Sequence, residues 1–455
     1  MDKVKLTEIA KVMDSAVISD IEISEISIDS RNITPGCLFF AIIGENFDGH
    51  DFVRSALDMG AAAAVCSRPI EGLDKPVIMV KDTHLALIKL AAYNRAQFDI
   101  PVVGLTGSVG KTTTKNMIAA VLGTQYNTLA TEGNLNNDIG VPRMCLRLNS
   151  QNDAAVLEMG MSGFGEISLL TRIVQPTIGL ITNIGVSHIE KLGSREGILR
   201  AKLEILDGMK PSAPLVLNGD DDMLVRGRNA LSRDVILYGI NNPDVDCRAT
   251  DIVQTMDGIS FKLTYKGRTH DIQLPVIGMH NVYNAMAAFV CGVLADVPAR
   301  LCVEGLRNYV PDAHRQKIVR KGDLTFIEDC YNASPDSISA SLRVMKDMEC
   351  TGRRVAVLGD MLELGDYSRK AHHECGEYVA ANDVDILLAY GSNAIYYIEG
   401  AGAAVKSRLY DDKNALAEDL ADMLRPGDVV LFKASRGMKL EDVIVRMYEL
   451  LGVGE

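Results

Sequence analysis

A short stretch rich in glycine and threonine, with one lysine, has the composition of a phosphate-binding loop. Residues 107–114 read Gly-Ser-Val-Gly-Lys-Thr-Thr-Thr, after an apolar, strand-like run at 102–105 and before a helix-like run at 115–122. In such a unit, backbone N–H groups at the helix N-terminus face the phosphates, and the helix dipole favours their negative charge. The alternative is an ordinary glycine turn that leads into a solvated helix.

This loop predicts the binding of a nucleoside triphosphate. Lys111 would reach the terminal phosphates, and the hydroxyl of Thr112 would bind Mg²⁺. The pattern is the short form Gly-x-x-Gly-Lys-Thr-Thr, because Leu105 stands where the longer pattern has a glycine. The predicted contacts of the loop with the nucleotide are Gly107, Ser108, Val109, Gly110, Lys111, Thr112 and Thr113.

Two further candidates for metal binding lie where predicted strands end. Glu158 belongs to the run 155–159, and His188 follows the run 178–184. Open α/β sheets bind ligands at the carboxyl ends of their strands, and a carboxylate together with Thr112 suits the hard Mg²⁺ ion. The alternatives are a capped strand end at the surface for Glu158 and a hydrogen-bonded structural imidazole for His188.

Three polar residues of predicted helices have less specific patterns. Lys202 lies in the run Arg-Ala-Lys-Leu-Glu-Ile, in mid-helix, where a lysine is ordinarily a solvated cation and cannot ligate Mg²⁺. Asn281 and Asn284 lie three apart at the start of a later helix and therefore share a face. Their amides could read the edge of a base, since each offers a donor and an acceptor; N-capping is the alternative.

Polar residues also follow two predicted strands in the last third of the chain. Residues 328–337 follow a strand and end in a helix-start signature, so a functional loop and a simple turn both remain open. Lys433 and Arg436 close the last predicted strand. Two cations at this position could contact phosphate or carboxylate.

The elements that would position these residues form three segments of an α/β protein. Residues 1–98 predict a small α/β domain. Residues 99–312 predict a central domain whose mostly parallel sheet carries the phosphate loop, and residues 313–455 predict a second doubly wound, Rossmann-like domain. The first boundary falls near 99–101, because the proline there discourages helix continuation.

The strand predictions rest on apolar runs, and one of them is a hairpin. An alternating stretch at 259–265, followed by Lys-Gly, predicts a hairpin added to the central sheet. One helix is predicted at 85–97. The other predicted strands are 26–28, 38–42, 62–66, 77–80, 102–105, 155–159, 178–184, 214–217, 235–238, 324–327, 355–358, 386–389 and 429–432.

The composition describes a folded protein without a large nucleic-acid interface. The 455 residues are 47% hydrophobic and carry a formal net charge of −13, which disfavours binding to nucleic acid. The nine cysteines form no Cys-x-x-Cys pair, which indicates reduced thiols in the cytoplasm. The N-terminus mixes charges throughout, and no apolar run approaches the length of about 18 residues expected of a membrane span. A monomer is the expected state.

These motifs, in this order, resemble those of the Mur ligase family, the ATP-dependent amide-forming enzymes of peptidoglycan synthesis. The resemblance covers nearly the whole chain and accounts for the short form of the phosphate loop. Its matches are the loop itself, Glu158-Met-Gly, residues 183–188, Lys202 before Glu204, and His280-Asn281-x-x-Asn284. Four more stretches resemble the member that joins D-alanyl-D-alanine to UDP-N-acetylmuramoyl-tripeptide: 29–39, 133–137, 329–333 and 358–364.

The resemblance implies a reaction through an acyl phosphate, with ATP and Mg²⁺, and a role for each matching residue. It implies that Lys202 is carbamylated by CO₂ and, as an anion, supports a second Mg²⁺. The implied catalytic residues are Lys111, Lys202, His280 and Arg315. The implied metal-binding residues are Thr112, Glu158, His188 and Lys202. The implied ATP contacts outside the loop are Asn281, Asn284 and Asp329. The implied substrate contacts are Ser30, Arg31, Asn46, Asn134, Asn136, Asn137, Asn332, Lys433 and Arg436.

Three other functions remain as alternatives. One is the neighbouring family member that adds a diamino acid, although its D-x-P-R type signature is not found in the last segment. A folylpolyglutamate synthase is disfavoured by the full N-terminal domain. A nucleotide-switched binding protein would hydrolyse ATP slowly without an amine acceptor, so acceptor-dependent phosphate release separates it from a ligase.

Overall fold

Four sheets follow one another along the chain in the computed structural model, which describes residues 1–228, 231–255, 257–312 and 316–453. The predicted α/β class with three successive units is confirmed. Among the described helices, none combines the length and the apolar surface that a membrane crossing requires.

The N-terminal unit holds a two-stranded ribbon and a four-stranded parallel sheet. Its strands are β1 Val4–Lys5, β2 Glu22–Ile23, β3 Ile26–Ser27, β4 Leu38–Phe40, β5 Ala63–Cys66 and β6 Val77–Met79. Its helices are α1 Leu6–Val12, α2 Val53–Asp58 and α3 Thr83–Ala96. The parallel sheet has the order β3-β4-β5-β6, and the carboxylate of Asp82 caps α3 by accepting from two backbone N–H groups.

The central unit is built on a nine-stranded sheet. Its strands are β7 Val102–Thr106, β8 Thr128–Ala130, β9 Ala154–Glu158, β10 Ile178–Ile181, β11 Leu215–Asn218, β12 Val235–Gly239, β13 Cys247–Thr255, β14 Gly258–Tyr265 and β15 Arg268–Leu274. Its helices are α4 Lys111–Leu122, α5 Gly140–Arg147, α6 Glu166–Val174, α7 Ile189–Leu192, α8 Arg195–Leu203, α9 Asp222–Arg228, α10 Met279–Leu294 and α11 Ala299–Arg307. The order is β15-β14-β13-β12-β11-β10-β7-β9-β8, and all neighbours are parallel except that β14 pairs antiparallel with both β13 and β15. The β14–β15 pair is the predicted hairpin.

The C-terminal unit holds a six-stranded sheet. Its strands are β16 Lys317–Lys321, β17 Leu324–Asp329, β18 Arg354–Gly359, β19 Ile386–Tyr390, β20 Lys406–Tyr410 and β21 Val429–Lys433. Its helices are α12 Pro335–Asp347, α13 Ser368–Ala381, α14 Ile395–Ala401, α15 Lys413–Met423 and α16 Glu441–Leu451. The order is β16-β17-β21-β18-β19-β20, and only the β16–β17 pair is antiparallel.

The N-terminal and central units share one hydrophobic core. Side chains of α1 and α3 pack in the same cluster as those of α5 and α6. Polar contacts join the same elements: Asn94 Nδ2 donates to the carbonyl groups of Cys145 (2.9 Å) and Leu148 (3.0 Å), and Arg95 Nε donates to that of Val174 (2.8 Å). The C-terminal sheet instead packs between two clusters drawn almost entirely from its own unit. The domain boundaries near residues 98 and 312 stay predictions. The separate core of the C-terminal unit agrees with a boundary near 312, whereas the shared core crosses the boundary near 98.

Two local predictions were wrong in extent. The strand expected over 178–184 ends at Ile181, because the chain turns there into the irregular segment that leads to His188. Lys202, expected in mid-helix, lies in the last turn of α8.

Candidate active site

The phosphate loop has the predicted strand–loop–helix geometry, and it lines a cavity of about 480 Å³ between the central and C-terminal units. Gly107 meets Thr182 so closely that an added Cβ would lie 1.8 Å from the hydroxyl oxygen, which explains the glycine. Asn183 braces the loop, because its amide accepts from the N–H of Val109 (2.9 Å) and donates to the carbonyl oxygen of the same residue (3.0 Å). Lys111 folds back over the loop, and its Nζ donates to the carbonyl of Gly107 (2.8 Å).

Thr112 and Glu158 meet at the carboxyl end of β9. The hydroxyl of Thr112 donates to Glu158 Oε2 (3.0 Å), and Asn136 Nδ2 donates to Oε1 of the same carboxylate (2.9 Å). Glu158 is only 2% exposed, so the alternative of a capped strand end at the surface is wrong. The three side chains present oxygen-rich, charged surroundings of the kind that hard divalent cations prefer.

Lys202 lies in the same cavity, and it is not a solvated cation. The residue is 2% exposed, and within the described ranges no hydrogen bond or ion pair reaches its ammonium group. Burial, and secondarily the charge of Lys111, hold the pKa of Lys202 well below its usual value. The side chain therefore favours the neutral amine, the form that can react with CO₂.

His188 lines the cavity at the start of α7 and contacts the C-terminal unit. Its backbone is left-handed (φ 61°), and its Nδ1 lies 2.9 Å from Oε2 of Glu363, itself left-handed (φ 62°). The hydrogen bond from His188 lowers the pKa of Glu363. An ionised carboxylate can only accept, so Nδ1 is the donor in this contact, and a neutral imidazole with that tautomer has its lone pair on Nε2.

Asn281 and Asn284 share a face of α10, as predicted, but they bond mainly to each other and to the protein. Asn284 Nδ2 donates to Asn281 Oδ1 (3.0 Å), while Thr114 donates to Asn284 Oδ1 (3.0 Å). Asn281 Nδ2 donates to the carbonyl group of Ile277 (2.8 Å). The N-cap of α10 is Gly278, so the N-capping alternative is wrong. The pair braces α10 against the phosphate-loop helix, and its contact with a base stays a prediction.

Strand ends of the C-terminal unit complete the cavity wall. Lys433 is buried, forms an ion pair with Asp329, and donates to the carbonyl of Asn332 (3.2 Å). Ser341 supports the pair by donating to Asp329 Oδ2 (2.9 Å). The 328–337 stretch is both a cavity wall and a helix start, because the hydroxyl of Ser334 caps α12.

His280 also lines the cavity at the first turn of α10. Burial lowers the pKa of His280, and the nearby Asp329 carboxylate opposes that shift. A neutral imidazole is therefore favoured there. Arg315, the remaining predicted catalytic residue, lies outside the described residues.

The predicted substrate residues are divided between this cavity and other parts of the surface. Asn136 and Asn137 line it, whereas Asn134 is exposed beside them. Ser30, Arg31 and Asn46 belong to the N-terminal unit; the Arg31 side chain is 87% exposed and paired with Asp29 (2.8 Å). Arg436 pairs with Glu441 (2.7 Å) at the surface. Their contacts with substrate stay predictions.

Sequence reasoning left several residues in or beside the cavity without a role. Asn183 and Glu363 lie within stretches that carried the resemblance, yet neither was assigned a function. Asp336 lines the cavity at the start of α12 and reaches Gly185, where an added Cβ would lie 2.1 Å from its Oδ2. Its position after a helix-start signature was the available signal. The contact of Glu363 with His188 had no signal, since it joins two units.

Phosphate loop, acidic strand end and parallel sheet together define a nucleotide-dependent α/β enzyme, and comparisons with known proteins give its family. The Mur ligase middle domain matches residues 105–292, the Mur ligase glutamate ligase domain matches 314–436, and the Mur ligase family catalytic domain matches 22–95. Together with the relatives below, these matches show that the chain belongs to the Mur ligase family.

Full-length relatives carry one name. UDP-N-acetylmuramoyl-tripeptide–D-alanyl-D-alanine ligase of Bacillus subtilis (strain 168) is 40% identical over 430 residues, covering 93% of both chains. The protein of that name from Escherichia coli (strain K12) is 36% identical and covers 99% of both. A crystal structure of MurF from Acinetobacter baumannii superposes with a TM-score of 0.92 at 34% identity over 99% of both chains. MurF ligase from Thermotoga maritima in complex with ADP gives 0.85 at 28%, covering 96% of this chain and 99% of that one.

Proposed function

We propose that this chain joins D-alanyl-D-alanine to UDP-N-acetylmuramoyl-tripeptide with consumption of ATP, in the synthesis of peptidoglycan precursors. The observation that carries the proposal is the 40% identity, over 93% of both chains, with the Bacillus subtilis ligase of that name. The cavity between the central and C-terminal units supports it, because phosphate-binding and carboxylate-bearing groups converge there. The enzyme acts as a monomer in the cytoplasm.

ATP overcomes the poor electrophilicity of the tripeptide carboxylate. Transfer of the γ-phosphoryl group forms an acyl phosphate and releases ADP; the dipeptide amine attacks the acyl carbon, loses a proton and expels phosphate. The protein supplies mainly positioning and neutralisation of charge. Lys111 lies against the phosphate loop, so its ammonium can move from the carbonyl of Gly107 to the transferring phosphoryl oxygens.

Mg²⁺ would be held by Thr112 and Glu158, and it would neutralise phosphate charge when bound. The fit is supported by the buried Glu158 carboxylate, which accepts from Thr112 and Asn136 at one cavity wall. In the described part of the chain, His, Cys, Asp and Glu side chains form no group of three that could hold a metal. This sparse protein ligation suits Mg²⁺, which usually keeps several waters and binds phosphates as well.

Carbamylation of Lys202 would add the missing anionic ligand. The neutral amine attacks CO₂, forms an N–C bond and releases one proton, leaving a carbamate. Burial favours the neutral amine that this step requires. The carbamate oxygen and His188 would then hold a second Mg²⁺.

The remaining residues are assigned to the two substrates and to ATP. His280 and Arg315 are assigned to the reacting phosphate, Asn281 and Asn284 to adenine, and Asp329 to ATP. The UDP end of the substrate contacts Ser30, Arg31 and Asn46. The peptide and the incoming dipeptide contact Asn134, Asn136, Asn137, Asn332, Lys433 and Arg436.

The test is phosphate release with ATP and crossed pairs of substrates. We expect release only when UDP-N-acetylmuramoyl-tripeptide and D-alanyl-D-alanine are both present. Turnover of the UDP-sugar dipeptide with a free diamino acid would instead assign the chain to the neighbouring ligase. Slow release without any acceptor would indicate a nucleotide-switched binding protein.

A further inference from the structure

The contact between His188 and Glu363 joins two units of the fold at the cavity. His188 belongs to the central unit, and its Nδ1 donates to Glu363 Oε2 of the C-terminal unit over 2.9 Å. The Glu190 side chain also packs against the backbone of Gly365, because a Cβ added to Gly365 would lie 2.7 Å from Cγ of Glu190. Ile189 packs against the C-terminal core. The α7 segment is therefore seated on the loop that carries Glu363.

Both partners hold backbone conformations that are unfavourable for residues with a side chain. His188 and Glu363 have φ values of 61° and 62°. A left-handed backbone at a residue other than glycine, asparagine or aspartate costs about 1–2 kcal/mol and persists where surrounding contacts enforce it. Both residues hold this conformation while their side chains are in contact.

The loop that presents Glu363 is fixed by its own unit. The N–H of Met361 donates to Nε2 of the buried His372 (3.0 Å), and the N–H of Leu362 donates to the hydroxyl of Ser435 (2.9 Å). The carboxylate of Asp360 accepts from the N–H of Asn393 (3.1 Å). These hydrogen bonds tie the segment that carries Glu363 to its own C-terminal unit.

We propose that Glu363 is a positioning residue for metal binding, which orients His188 across the domain boundary and leaves Nε2 as its metal-ligating nitrogen only while the two units are closed. The proposal rests on the metal site of the proposed function. Carboxylates that accept from the second nitrogen of a metal-binding histidine fix its tautomer and orientation. Here that carboxylate comes from another unit, so metal affinity and closure are coupled, and by linkage each favours the other.

The first experiment measures Mn²⁺ binding by electron paramagnetic resonance, with a non-hydrolysable ATP analogue, in the presence and absence of the UDP-sugar tripeptide. Glu363→Gln keeps the size of the side chain but can accept from or donate to Nδ1, so it removes the tautomer constraint. We expect it to weaken binding of the second Mn²⁺ by about 10–100-fold. The matched control is Glu377→Gln, which alters a histidine–glutamate pair within α13 (His373 Nδ1 to Glu377 Oε1, 3.5 Å) and should leave Mn²⁺ binding unchanged.

Two further readouts separate positioning from a general structural effect. In ¹⁵N spectra, His188 should be the Nδ1–H tautomer in the wild-type protein and a mixture in Glu363→Gln, with the signal assigned from His188→Gln. In the His188→Gln background, Glu363→Gln should have no additional effect on Mn²⁺ affinity. Wild-type Mn²⁺ affinity in Glu363→Gln, an unchanged tautomer, or an equal loss in both backgrounds would overturn the proposal. None of these measurements uses the amine acceptor, so failure of acceptor-dependent turnover would count against the proposed function alone.

Discussion

Lys202 and Lys111 line the same cavity, where burial and then the charge of Lys111 lower the pKa of Lys202. Two ammonium groups beside a triphosphate and metal ions would be an unusual way to build a metal site, because a cation cannot ligate Mg²⁺. Conversion of Lys202 to a carbamate removes one of these charges and adds a hard oxygen ligand.

Activity should therefore depend on dissolved CO₂, and Lys202→Ala should lose most of its turnover. Loss of one charged group in such a site costs roughly 10²–10³-fold. Mass spectrometry of the wild-type protein should detect about 44 extra daltons of neutral mass at Lys202, from the addition of CO₂. Lys210→Ala, which changes an exposed lysine in the chain segment after α8, is the control and should keep its rate.

Added acetate or formate should partly restore Lys202→Ala, because a small carboxylate can enter the vacated space. Lys202→Glu should recover little, since its side chain is shorter than carbamyl-lysine. Rates measured against carboxylate concentration test both expectations. A fully active Lys202→Ala enzyme, prepared without such carboxylates, would falsify the metal-supporting role.

Lys111→Ala should abolish turnover while the fold stays intact. One lysine on phosphate charge in a water-poor site supplies several kcal/mol, or roughly a thousandfold in rate or more. Steady-state phosphate release measures the effect, and thermal unfolding checks that the variant is folded. A variant that retains most of its rate would show that ATP binds elsewhere.

Gly107→Ala should impair nucleotide binding, because its methyl group would collide with the Thr182 hydroxyl at 1.8 Å. The collision must move the loop or the end of β10. The double variant Gly107→Ala/Thr182→Ala removes the hydroxyl and should recover part of the affinity. Equilibrium binding of a fluorescent ATP analogue compares the three proteins. Equal affinity of Gly107→Ala and wild type would mean that the loop tolerates the displacement.

The C-terminal unit should move as a body when ligands bind. Lys433 and Asp329 of this unit line the same cavity as the phosphate loop, and catalysis requires reacting atoms within about 3–3.5 Å. Small-angle scattering should therefore give a smaller radius of gyration with the nucleotide analogue and UDP-sugar tripeptide than without them. Identical profiles would count against this motion.

Continuous apolar runs made much of the fold predictable. The strand at Val102–Thr106 is buried over its whole length, and its sequence reads accordingly. The edge strands Lys317–Lys321 and Lys406–Tyr410 were not predicted. Both are largely exposed and carry charged residues, so neither has a strong apolar pattern. The order of the buried strands along the chain could be predicted from the sequence. The edge strands could not, because they form by pairing with a neighbouring strand and have no apolar pattern of their own.

The site residues also fall into two groups, those recognisable from a local motif and those whose surroundings depend on tertiary packing. The phosphate loop is a local motif, so its residues were recognised together and the structure brings them together. Lys202 reads as a solvated cation on its own, and only tertiary packing makes it a buried amine. Asn281 and Asn284 share the predicted face, but their partners Thr114 and Ile277 could not be read from spacing. The resemblance carried the assignments that local patterns could not.

The single core shared by the N-terminal and central units has a consequence for substrate choice. If the UDP group binds near Arg31, its distance from the phosphate loop is set by packing of α3 against α5 and α6 and not by domain motion. The two units then hold the UDP site and the phosphate loop at a fixed distance, which the peptide must span. We expect a UDP-sugar carrying one amino acid fewer to leave its carboxylate short of Lys111. A comparison of the rates with UDP-sugar peptides of graded length measures that distance.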